Sequence, residues 1–189
     1  GRGEKALAGL SERGGLAEGD TPGYMEAPEV LIRAHLSQTA ETGEALQALV
    51  AEPRFGVEDE NLCTTVLVLL LETAILVWDR RLCTVLAERL VPAANLSTAW
   101  RAYTCPARHL GAAAALLGEP DKARNYYHQA LEAAGKIRFR PEIALTRLQL
   151  CELLLEHYPD ERAEALEHLD FAIGEFRDMK MQPSLERAL

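Results

Sequence analysis

Cys63, Cys83, Cys105 and Cys151, with five histidines, are the side chains of this 189-residue chain best suited to nucleophilic or metal chemistry. A reactive thiolate needs a positive neighbour, and a zinc site needs CxxC spacing or like ligands at i,i+3 or i,i+4 on a helix. There is no CxxC pair, and no two histidines recur at helical spacing. Each cysteine falls on or beside an apolar helical face, so the thiols read as buried and reduced, with the cytoplasm as the expected setting. His109 follows Arg108 and His128 follows Tyr127, and either pair could meet an anion or a metal. His157 and His168 stand eleven residues apart across a predicted turn, where only tertiary structure could join them. The chain carries neither a GxxxxGK[ST] phosphate loop nor a GxSxG elbow. The expectation is that the protein is not an enzyme, with no catalytic residue, no metal ligand and no cofactor.

Charge narrows the choice of partner. The formal net charge is −9. Residues 1–100 hold 15 acidic and 8 basic side chains, giving −7, while residues 101–189 hold 14 and 12, giving −2. Nucleic-acid binders gain affinity by neutralising phosphates with Lys and Arg, so direct nucleic-acid contact is not expected. The basic cluster Lys136, Arg138 and Arg140, in GKIRFRP, reads as a solvated interhelical loop whose cations favour the preceding helix C-terminus; a phosphate or acidic partner is the other reading.

The elements that would carry these residues are helices. The chain is 48% hydrophobic and only 6% aromatic, with no Asn-Gly or Asp-Gly hairpin signal. Asn61 to Trp78, NLCTTVLVLLLETAILVW, reads as a helix apolar nearly all round, behind the dipole-favouring acids Glu58, Asp59 and Glu60. It is shorter than the ~20 apolar residues of a membrane span, so no membrane partner is expected. A helix apolar on every side must be covered on every side. Either neighbouring helices do this, or Thr64, Leu67, Leu71 and Ala74 line a groove for a partner helix, a peptide, an apolar ligand or the N-terminal segment of the chain.

Ala107 to Gly135, ARHLGAAAALLGEPDKARNYYHQALEAAG, places small and large residues at the spacing of two closely packed antiparallel helices. Gly111 and Ala123 allow close approach and Tyr127 fills the next hole, while Gly118 and Pro120 end one helix and begin the next. On Leu110-Gly111, Ala114, Ala123, Tyr127 and Ala130 the stretch resembles a tetratricopeptide repeat. Ala107 stands where that motif usually has Trp, and Gly135 where it has Pro. Leu150-Cys151 and Leu154, then Ala165, Leu169 and Ala172, repeat the pattern downstream across the longer turn His157 to Glu161. Upstream, the apolar helix is followed by Leu82, Leu86 and Leu90. A weaker pair spans Pro28 to Gln38 and Thr42 to Val50, with Ala45 and Leu49 facing inward. The expected fold is all-α, a right-handed α-solenoid of about four TPR-like antiparallel hairpins with a period of roughly 37–42 residues against the usual ~34.

Residues 1–23 read as a flexible or partly helical linker, in which Lys5 to Leu10 can form at most a short helix, and residues 24–189 as the repeat domain. The absent initial methionine suggests a fragment of a longer protein. Pro183 to Glu186 starts a last helix. Arg162 to Leu189, with Ala165, Leu166, Leu169, Ala172 and Ile173 and then the Met181 to Ala188 ending, is similar to the closing repeats of large bacterial ATPase-containing regulators, including LuxR-type transcription regulators and adenylate cyclase or kinase fusions. That resemblance implies a binding or sensing module of a signalling or transcriptional regulator. Its partner would be a protein, a peptide or a small effector, met on Thr64, Leu67, Leu71, Ala74, Arg108, Ala112, Leu148 and Glu152. The alternative is a structural homodimerisation module with no ligand of its own.

Overall fold

The computed structural model of the chain describes residues 5, 26–36, 39–51, 64–96 and 104–189. These are helices joined by turns, with no strand among them. The expected linker, with Lys5 to Leu10, and Glu58 to Glu60 and Cys63 lie outside the described residues, Lys5 apart. The chain divides after Leu90 into two compact units.

The first unit holds α1 (Glu26–His35), α2 (Thr39–Ala51), α3 (Thr64–Leu76) and α4 (Arg80–Leu90). Helix α3 packs against the other three. Thr65, Val66, Leu67, Val68, Leu70, Leu71, Thr73 and Ala74 are buried, and no residue of α3 is exposed. The apolar sequence is thus matched by all-round cover within the unit, as a helix without a polar face requires. Leu82, Cys83, Leu86 and Leu90 form the buried face of α4 at i,i+4 spacing. In α2 the inward positions are Thr42, Leu46 and Leu49, whereas Ala45 is exposed. The expected inward Ala45 is therefore corrected: with Leu49 inward, the i,i+3 and i,i+7 neighbours on its face are Leu46 and Thr42.

The second unit holds a 3-10 turn (Val91–Ala93), α5 (Pro106–Leu117), α6 (Pro120–Lys136), α7 (Arg140–His157), a 3-10 turn (Pro159–Glu161), α8 (Arg162–Asp178) and α9 (Gln182–Ala188). Each helix packs on the next. Ala107 near the start of α5 shares a core with Ala130 and Ala134 near the end of α6. Ala114, late in α5, meets Ala123 and Tyr127, early in α6, so the two run antiparallel. Helices α7 and α8 do the same: Leu153 and Leu154 share a core with Ala165, and Ala144 and Leu148 with Ala172 and Phe176.

At Gly111, α5 and α6 approach closely. A Cβ there would sit 2.6 Å from both Cδ1 and Cε1 of the Tyr127 ring, against the 3.5–4.0 Å at which carbons rest. Small residue and large ring therefore interlock as the sequence indicates.

Four helices end in one turn. The N–H groups of Asp79, Glu119, Phe139 and Met181 reach back to the carbonyls of Ala74, Ala114, Ala134 and Phe176, and the preceding N–H groups reach Ile75, Ala115, Gly135 and Arg177. This is the Schellman geometry, which needs a left-handed residue between the two N–H groups. Gly118 supplies it at φ 82°, but Trp78, Arg138 and Lys180 adopt it at φ 60°, 53° and 57°. A side chain in that conformation costs about 1–2 kcal/mol.

Candidate functional site

The densest polar cluster among the described residues lies at the start of α5. Glu142, in the first turn of α7, is buried, and its Oε1 accepts from Thr104 Oγ1 at 2.9 Å, Cys105 N at 2.9 Å and Arg108 Nε at 2.8 Å. Arg108 Nη2 donates to His109 Nε2 at 3.0 Å, and Thr104 Oγ1 lies 2.8 Å from the same nitrogen. A guanidinium offers only hydrogens, so His109 Nε2 accepts and the ring is neutral, with its proton on Nδ1. Burial, then the Arg108 charge, holds the His109 pKa well below the usual imidazole range. These groups satisfy one another beneath the surface. They fix α7 against α5 rather than face a substrate.

The Arg108–Glu142 pair is one of several cross-braces. Arg124 reaches Glu161 through two hydrogen bonds of 3.0 and 2.6 Å, and its guanidinium stacks over Tyr158. Arg140 grips Glu175 at 2.7 and 3.1 Å, and Arg187 grips Glu152 at 3.0 and 2.6 Å. Their sequence separations are 34, 37, 35 and 35 residues, close to one hairpin repeat. In the GKIRFRP cluster, Lys136 pairs with Glu132 and Arg140 with Glu175 and Asp178. Arg138 occupies a left-handed turn position and is exposed.

The residues expected to line a groove are placed as follows. Thr64 is half-buried, and Leu67, Leu71 and Ala74 are buried in the first unit. In the second, Arg108 is committed to Glu142, Ala112 is half-buried, Leu148 is buried against Phe176, and Glu152 is exposed in its pair with Arg187. Four aliphatic members, Leu67, Leu71, Ala74 and Leu148, are thus core, and both charged members are braces.

Cys83, Cys105 and Cys151 are buried free thiols. Burial pushes Cys83 up to about 12 and Cys105 up to about 11, aided by Asp79 and Glu142 respectively, and raises Cys151. Such thiols stay protonated and unreactive. No three His, Cys, Asp or Glu among the described residues are grouped to hold a metal, and no described helix is long and apolar enough to cross a membrane. His128 and His157 are exposed. His168 has both ring nitrogens buried without a hydrogen bond, as has Arg147 at Nε; the guanidinium of Arg147 lies 4.1 Å from the Phe171 ring centroid.

The surface feature that sequence reasoning missed is at the end of α3. Trp78 is 75% exposed while its backbone is held left-handed. It lines a depression of about 530 Å³ with Val77, Asp79 and Arg80 on one side and Ala40, Gly43, Glu44 and Gln47 on the other. The last four recur at i,i+3,i+4,i+7, one stripe of α2. Nothing lies within 4 Å of where a Gly43 Cβ would be, so the depression is open there. Asp79 caps α4 by accepting Leu82 N–H at 3.0 Å and ties the walls together by accepting from Gln47 Nε2 at 2.9 Å. Burial raises its pKa, but these hydrogen bonds, with the Arg81 N–H and charge, outweigh that and hold the carboxyl below its ordinary value. Trp-Asp-Arg after an apolar run carries no turn signature of the Gly or Asn kind, which is why the sequence did not reveal the left-handed Trp78.

Comparison with known proteins gives no matching family model, no matching curated protein and no matching solved structure.

Proposed function

We propose that this chain is a non-enzymatic binding module built from tetratricopeptide-like hairpins stacked as a right-handed α-solenoid, serving a bacterial signalling or transcriptional regulator in the cytoplasm. The repeat reading is supported by the Gly111–Tyr127 interlock and by Arg–Glu pairs spaced about one hairpin apart. The binding reading is carried by one observation: Trp78, a large aromatic, is presented to solvent beside an open depression whose walls are tied by the Gln47–Asp79 hydrogen bond. Aromatic residues on a fixed backbone are efficient anchors for a peptide or protein partner, since they offer large area at little entropy cost. A homodimer through the apolar helix is the alternative, and the burial of Leu67, Leu71 and Ala74 weighs against it.

The test is selection of random linear peptides against the purified chain, with its molar mass followed by light scattering over a wide dilution series. A convergent peptide consensus bound by a monomer is the expected result. No consensus, together with a dimer that persists on dilution, would overturn the reading in favour of the structural alternative.

A further inference from the structure

Of the three side chains that occupy a left-handed turn position, two are cations at helix C-terminal ends, where positive charge is favoured by the helix dipole. Arg138 and Lys180 therefore return something to the turn that strains them. The indole of Trp78 carries no charge and projects into solvent, and Gly118 shows that the same turn is made without any side chain. Backbone strain at an exposed aromatic, unrewarded by the fold, points to a contact made outside it.

The chemistry around the ring selects the contact. Glu44 is exposed and makes no hydrogen bond or ion pair among the described residues, and Asp79 stands across the depression with its carboxyl held ionised. Arg80 on the same rim is already engaged in an interaction of its own. In sequence, residues 1–90 hold 15 acidic to 8 basic side chains. An indole flanked by carboxylates suits a planar cation, which stacks on the ring while its N–H groups meet an oxygen pair.

Resting on the binding-module reading, we infer that the Trp78 depression receives an arginine side chain from a basic, extended segment of a partner protein, the guanidinium stacking on Trp78 and pairing with Glu44. The test uses three synthetic peptides, acetyl-(Gly-Arg)4-amide, acetyl-(Gly-Lys)4-amide and acetyl-(Gly-Glu)4-amide, with binding followed by calorimetry and by the indole N–H resonance of Trp78. Trp78→Gly removes the ring while easing the turn, so lost binding in that variant is not lost folding, and an unchanged or higher unfolding midpoint checks this. The arginine peptide should bind, move the Trp78 resonance, and weaken about fivefold in Trp78→Gly and again in Glu44→Gln; the lysine peptide should bind less tightly and the glutamate peptide not at all. Equal binding of the arginine peptide by wild type and Trp78→Gly would overturn the inference, as would its failure to bind or equal binding of the glutamate peptide. A selected peptide consensus without basic residues and indifferent to Trp78→Gly would sink this inference while leaving the binding-module reading in place.

Discussion

Gly111→Ala tests the packing of the second unit most directly, because the added atom has a known destination. Its Cβ would stand 2.6 Å from two carbons of Tyr127, about 1 Å inside the contact distance of carbon pairs. Tyr127 is buried and backed by Ala114, Ala123 and Leu150, so the ring cannot swing clear without disturbing the core shared with α7. Overpacking of this kind costs about 1–3 kcal/mol, and an overlap of this depth belongs near the upper end. Alanine returns up to ~1 kcal/mol through helix propensity, which leaves a net loss of about 2 kcal/mol. For a unit of this size that lowers the thermal midpoint by roughly 10 °C.

The control is the same chemical change elsewhere. Gly174, inside α8, has nothing within 4 Å of its missing Cβ, so Gly174→Ala should raise stability by ~0.5–1 kcal/mol. Urea unfolding followed by circular dichroism at both sites reads the two signs, and Tyr127→Leu combined with Gly111→Ala should recover part of the loss through the vacated ring volume. If Gly111→Ala proves as benign as Gly174→Ala, the close approach of α5 and α6 is wrong.

Three further outcomes follow from the geometry. Glu142→Leu should cost about 3–5 kcal/mol by leaving Arg108 buried without its carboxylate, whereas Arg108→Met with Glu142→Leu should cost much less; additive losses in a double-mutant cycle would refute the coupling. Stability should depend on pH through His109, whose folded pKa lies well below its unfolded value: below pH ~6.5 the unfolded chain takes a proton that the folded chain refuses, so stability is full above that pH and falls by up to ~1.4 kcal/mol per unit beneath it. His168, lowered by burial and then by Arg147, adds in the same direction, and urea midpoints that stay level from pH 7.5 to 5.5 would contradict both. Arg138→Gly should gain about 1 kcal/mol by relieving its left-handed backbone, while Gly118→Ala should lose about as much; thermal midpoints moving together would show that the turns are not alike.

What could be read from the sequence was whatever chain neighbours decide. Gly118 before Pro120 marks a turn by local chemistry, and Leu82, Leu86 and Leu90 mark a buried face by spacing, and both stand as expected. The apolar run through Leu71 announced burial on all sides, but whether helices of the same chain or a partner supplied the cover was decided by the placement of α1, α2 and α4. Glu142 looked like any acid in the first turn of a helix. Its role depends on Arg108 standing one hairpin away in the right register, which no local pattern encodes. Trp78 was legible as the end of a helix but not as a left-handed residue, because its side chain is not one that favours that conformation.

The braced arginines of the second unit and the Trp78 depression of the first use charge differently. In the second unit, Arg124, Arg140 and Arg187 each grip a glutamate near one hairpin away through two hydrogen bonds, so a ligand drawn to those arginines would have to displace an existing bidentate pair. Exposed pairs are individually worth little in stability, yet each fixes two side chains and removes them from the set available to a partner. At the Trp78 depression the order is reversed. Asp79 is used to cap α4 and to hold Gln47, which positions the wall, while Glu44 and the indole are left facing solvent. Beneath them α3 is covered by three helices, so the ring stands on a backbone that has little freedom to retreat. An apolar ring on a fixed backbone, beside a carboxylate uncommitted among the described residues, is a partly pre-organised contact, and pre-organisation lowers the entropy lost on binding. On the proposed binding reading, the Trp78 depression is the recognition surface of the first unit.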